Sequence, residues 1–158
     1  MPTTIASEVH IIRSPILRMI GFCAAALMLT ACASVRQAEY LTTTVGPPRP
    51  FSPAVRVNGF LYLSGQVGTD SSGALVPGGI QAETRQVMDN IGVVLGRGGS
   101  SFERVVKCTV FMADMKEWGA MNEVYVTFFA ADKRPARSAL GANGLALNAR
   151  VEIECIAY

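Results

Sequence analysis

The sequence predicts a two-layer α/β domain of the α+β kind, with two helices on one face of a single sheet and elements in the order ββαβαββ. Two segments, Ile80 to Leu95 and roughly Glu117 to Ala131, carry apolar residues at helical spacing. Five others alternate, or run apolar and β-branched, as strands do. Between the first two of these stands Asn58-Gly59, the strongest short hairpin signal. With 158 residues, half of them hydrophobic, the chain has material for one core and shows no second block of composition.

The first 31 residues stand outside that core. Arg13 and Arg18 lead into an apolar run, Met19 to Leu29, which is too short to span a bilayer and ends in Leu29-Thr30-Ala31-Cys32. This pattern resembles a lipobox, in which a signal peptidase cuts before a cysteine whose thiol carries a diacylglycerol. The expectation is a lipoprotein-type signal peptide over 1–31, lipidation at Cys32, and a bacterial cell-envelope location facing the periplasm through a membrane anchor. A soluble periplasmic or secreted protein is the alternative, and a translation start at Met28 would make the chain cytoplasmic. Cleavage before Cys32 removes Arg13, Arg18 and Glu8 and lowers the net charge from +2 to +1, so no nucleic-acid partner is expected. Residues 32–46, with a threonine run and then Pro47-Pro48-Arg49-Pro50 beyond, are expected to form a tether, and 47–158 the domain.

Within the domain, Ala54 to Val57 and Phe60 to Ser64 form the hairpin, and Gly65 to Gly79, rich in Gly, Asp and Ser, is a loop. Ile80, Val87, Met88, Ile91, Val94 and Leu95 share one face of the first helix, which Gly96-Arg97-Gly98-Gly99 stops. Val105 to Met112 is a strand expected to be buried on both faces or nearly so, with Lys107 its one charge. Asp114 and Glu117 have the spacing of a helix start, after which Trp118, Met121, Tyr125, Phe128 and Phe129 form a stripe expected to pack in the core. Ala136 to Leu140 and Arg150 to Ala157 complete the sheet. Its face away from the helices needs a cover, and another subunit is the expected one.

The only histidine, His10, lies in the expected leader, so histidine triads and most zinc sites are excluded, and no metal or cofactor is expected. Cys108 and Cys155 lie in apolar strands without C-x-x-C spacing; buried free thiols are the expectation, a disulfide requiring Cα atoms within about 7 Å. Alternation sends Val151, Ile153, Cys155 and Ala157 to one face of the last strand and Glu152 and Glu154 to the other, about 7 Å apart. Arg137 emerges just after Pro135, and its planar fork suits bidentate capture of a carboxylate; a surface position, or pairing with Glu152, are the competing accounts.

Four blocks taken together resemble the RidA (YjgF-like, reactive intermediate/imine deaminase) family over about 110 residues: Leu61-Tyr62-Leu63-Ser64-Gly65-Gln66-Val67, Asn122-x-x-Tyr125-x-x-Phe128-Phe129, Pro135-Ala136-Arg137-Ser138, and Val151 to Ala157. The resemblance implies a chorismate-mutase-like fold, a homotrimer with clefts between subunits, and cofactor-free hydrolysis of imines and enamines derived from 2-amino acids to 2-oxo acids and ammonia. By motif, Arg137 corresponds to the arginine that holds the substrate carboxylate and Glu152 to the glutamate that handles water or protons. Ser64, Gly65 and Asn122 correspond to residues that line or support the cleft. The chain departs from the family pattern at Phe51, where active members often have tyrosine, and at Ala139, where they often have cysteine. A trimeric small-molecule-binding or protein-interaction module without turnover is the competing class.

Overall fold

A computed structural model describes residues 37–42 and 49–158, within the compact unit Arg36–Tyr158. The expected leader and Cys32 lie outside the described residues. Strands β2 (Ala54–Val57) and β3 (Phe60–Leu63) form the expected hairpin. Asn58 and Gly59 turn it with φ of 50° and 87°, the left-handed pair that a two-residue hairpin with native twist requires. Helix α1 (Gly79–Arg97) ends where the Gly98 N–H returns to the Val94 and Gly96 carbonyls. Gly98 has a second reason to be glycine: a Cβ there would overlap the Leu61 side chain. After β5 (Val105–Met112) come a 3-10 turn, Met115–Glu117, and helix α2 (Trp118–Tyr125). Strands β6 (Ala136–Gly141) and β7 (Val151–Ala157) finish the chain.

Two further strands were not expected. Glu39–Tyr40, inside the stretch assigned to the tether, is β1 and pairs with β2; Gln66–Val67, inside the expected loop, is β4 and pairs with β7. Neither has enough residues for a periodic pattern, so backbone pairing alone defines them. The sheet runs β1-β2-β3-β7-β5-β6, antiparallel except for β5 beside β6, with β4 continuing the β3 side of β7. The two helices pack on one face over Leu61, Val87, Met88, Ile91, Leu95, Val110, Met112, Met121, Val151 and Ile153, all fully buried. Each such side chain contributes roughly 1.5 to 3 kcal/mol by leaving water.

Three expectations change. Strand β5 is covered on one face only: Cys108, Val110 and Met112 are buried, whereas Lys107, Thr109 and Phe111 are half-buried on the other face. Continuous β-branched character cannot distinguish a strand covered by helices on both sides from one that offers an apolar outer face. Helix α2 is shorter than its aromatic stripe, because the chain tightens into a 3-10 turn at Val126–Phe128 and leaves it extended at Phe129. Phe129 fixes that exit by packing edge-on to Phe102 at 5.6 Å and against Tyr125 at 5.0 Å. Finally, Cys108 and Cys155 are not free thiols: they face each other across β5 and β7 with Cα atoms 4.1 Å apart, and form a disulfide. Strand register set this distance, which spacing along the chain does not reveal.

Candidate functional site

Arg137 sits on β6 opposite Cys108, so its side chain rises on the helix-covered face of the sheet. There α2 receives it. Trp118, Asn122 and Tyr125, at i, i+4 and i+7, share one face of that helix. The guanidinium donates to Asn122 Oδ1 at 2.8 Å and lies 4.7 Å from the Tyr125 ring centroid and 5.6 Å from that of Trp118. Both aromatic faces attract the cation, and the arginine retains donors not used by Asn122. The Tyr125 hydroxyl is buried without a hydrogen-bond partner among the described residues, and burial pushes the phenol up to about 12 against the opposing pull of Arg137. Ala139, two residues on, points to the same face and packs on the core edge.

The remaining expected residues gather elsewhere. Glu152 lies half-buried on the outer face of β7, opposite Phe111 of β5 and Val67 of β4. Its carboxylate occupies the space over Gly65, where a Cβ would overlap Oε1 and stand 2.9 Å from Cδ. Any side chain at residue 65 would expel the carboxylate. Ser64 Oγ donates to the Ser52 carbonyl at 2.7 Å and its N–H to the Pro53 carbonyl at 3.0 Å, which holds the segment carrying Phe51 beside this group. Phe51 is 48% exposed, with the Arg49 guanidinium 5.9 Å from its ring centroid. Glu154 is exposed opposite Thr109.

The expected residues therefore form two half-sites, one of Arg137, Asn122 and Ala139, the other of Glu152, Gly65, Ser64 and Phe51. Within one chain they do not meet. The row of Arg137 crosses β5 at Cys108 and that of Glu152 at Phe111, so the two backbones are separated by about 10 Å across the sheet and about 10 Å along it, with side chains on opposite faces. Pairing between Arg137 and Glu152 within one chain, an account the sequence left open, is thus overturned. Of the expected core stripe, Met121, Tyr125 and Phe129 are buried in the core, whereas Trp118 is 41% exposed; Tyr125 and Trp118 both present a ring to Arg137. Their spacing with Asn122 was the available signal.

A two-layer α+β protein with a one-sided sheet and a divided arginine and glutamate site is a recognisable class. The family described as Endoribonuclease L-PSP matches residues 42–158. The mouse protein named 2-iminobutanoate/2-iminopropanoate deaminase is 47% identical over 122 residues, covering 75% of this chain and 90% of its own. Among solved structures, RidA from the Antarctic bacterium Psychrobacter superposes with a TM-score of 0.66 at 33% identity, covering 80% of this chain and 99% of that one. Escherichia coli TdcF with bound serine gives 0.68 at 27% identity, covering 75% and 97%. The chain belongs to this family, also called RidA/YjgF.

Proposed function

We propose that this protein hydrolyses reactive imines and enamines derived from 2-amino acids to 2-oxo acids and ammonia. The observation that carries the reading is Arg137, a guanidinium steadied by Asn122 and two aromatic faces yet retaining free donors, in a chain related to proteins named as deaminases of two such imines. A carboxylate captured by that fork fixes the adjacent C=N carbon. Glu152 accepts a proton from water as the oxygen attacks this carbon; the nitrogen is protonated and ammonia departs, leaving the 2-oxo acid. General-base help of about 10² to 10⁴-fold suits a substrate that already reacts with water. The bound serine named for the E. coli relative, itself a 2-amino acid, agrees with this class of ligand.

Because the half-sites stand apart in one chain, the working cleft forms between copies, Arg137 of one facing Glu152 of another, in a homotrimer. The outer sheet face supports this: Phe60, Tyr62 and Leu140 are exposed there beside half-buried Phe111 and Ile156. We further infer export and lipid anchoring through Cys32 to the envelope. The Cys108–Cys155 disulfide supports that location, since such bonds persist in oxidising compartments. Globomycin treatment that leaves the precursor uncleaved, and release of Cys32→Ser from membranes, are the expected results.

The deciding experiment follows 2-iminopropanoate, generated in situ by an amino-acid oxidase, with the wild type, Arg137→Ala and Glu152→Ala. Acceleration by the wild type that both variants lose is the expected result. A folded trimer that binds 2-oxo acids through Arg137 without accelerating hydrolysis would instead be a binding module.

A further inference from the structure

We infer that helix α1 is the positioning element for the water-handling carboxylate, and that it acts through Glu83 and Asn90, two polar side chains outside the reacting groups. This rests on the reading of Glu152 given above. The two residues stand seven apart, so they lie two turns from each other on one stripe of α1. Glu83 is 6% exposed, and its Oε2 accepts the backbone N–H of Arg150 at 2.8 Å. Arg150 immediately precedes β7 and stands two residues before Glu152. A charged acceptor makes this a strong bond at the start of β7, on the side of Arg150 opposite to its carbonyl, which accepts from the Ala113 N–H at 3.0 Å. The Arg150 side chain extends to Glu117 at 2.6 Å, so loss of Glu83 would not leave the guanidinium unpaired.

Asn90 holds the other side of Glu152. Its Nδ2 donates to the carbonyls of Val67 at 3.1 Å and Thr69 at 2.9 Å, while its Oδ1 accepts from Gln86 at 2.9 Å. Val67 is the register partner of Glu152. Strand β4 has two residues, too few to hold its own place, and it follows directly on Gly65. Between the two clamps Gly68 lies against the Glu83 backbone, where a Cβ would stand 2.9 Å from Glu83 Cα. Glu152 is therefore held along its strand through Glu83 and Arg150, and from its flank through Asn90 and Val67. Its carboxylate rests on the glycine that β4 carries into place. The partners of Arg137 are different ones, all on α2.

The consequence is a separation of chemistry from binding. In the full-length protein, Glu83→Ala and Asn90→Ala lower kcat by about 10- to 100-fold, as small displacements of a catalytic group do. KM for 2-iminopropanoate, and Kd for pyruvate by calorimetry, stay within about twofold of wild type. Glu83→Gln keeps an oxygen for the Arg150 N–H and recovers most of kcat. Asn90→Asp, which sets a carboxylate against two carbonyl oxygens, loses it, and together with Glu83→Gln carries the test if Glu83→Ala does not fold. Unchanged kcat in the alanine variants, pyruvate affinity falling in step with kcat, or Glu83→Gln as slow as Glu83→Ala would each overturn the proposal. Full activity in Glu152→Gln would overturn the reading of Glu152 and the clamp with it, a result distinct from the other three.

Discussion

Gly65 and Tyr125 show how single positions carry the site. At Gly65 the carboxylate of Glu152 fills the volume that a methyl group would need, so Gly65→Ala forces either β4 or the carboxylate to move. A loss of about 10²-fold in kcat is expected, with pyruvate binding retained at Arg137, checked by paired kinetics and calorimetry. Among the described residues, Tyr125 is the one whose ionisation is strongly displaced, burial raising the phenol to about 12. The folded state therefore keeps its proton between pH 10 and 12 while the unfolded state releases it, and stability falls as pH rises through that window. The total is about 2 to 3 kcal/mol for two pKa units, and at neutral pH the tyrosine stays uncharged beneath Arg137. Tyr125→Phe keeps the ring and removes the slope, which urea unfolding at pH about 9 and about 11 would detect.

Strands β5 and β7 join the two half-sites, and their shared disulfide is the covalent link between them. Cys108 lies in register with Arg137 on one side and with Cys155 on the other. With the cysteines 47 positions apart in the sequence, cross-linking removes chain entropy from the unfolded state equivalent to at most about 4 kcal/mol. Reduction, or replacement of both cysteines by alanine, is expected to lower stability by about 2 to 4 kcal/mol while the strands stay paired. Urea unfolding with and without reductant measures this, and a thiol count on the oxidised, denatured protein distinguishes the bridge from free thiols. Helix α2 presents a different balance: shortened by the exit at Phe129, it gives up a turn of helix but retains the face that steadies Arg137.

Assembly is where the divided site becomes testable. If each cleft takes Arg137 from one copy and Glu152 from another, Arg137→Ala and Glu152→Ala, each inactive alone, complement when coexpressed. Random mixing leaves one intact cleft in each mixed trimer, so about a quarter of wild-type activity returns. No recovery from trimers shown to contain both variants would overturn the cleft shared between copies. Tyr62→Asp, on the outer sheet face, is expected to give monomers by light scattering and to abolish activity.

Periodicity and turn chemistry made much of this legible beforehand. The Asn58-Gly59 hairpin, the face of α1, the bounds of β5 and the alternation of β7 follow from local steric preference and from the separation of apolar and polar residues, both written along the chain. Arg137 and Glu152 stood out by motif. Strand register and the sheet face each side chain takes in space were not legible, because they depend on contacts between residues far apart in sequence. Those contacts pair Cys108 with Cys155, draw Gln66 and Val67 onto β7, and bring Trp118 and Tyr125 around Arg137. They also set Arg137 and Glu152 on opposite faces of one sheet, which no spacing of residues along the chain can express.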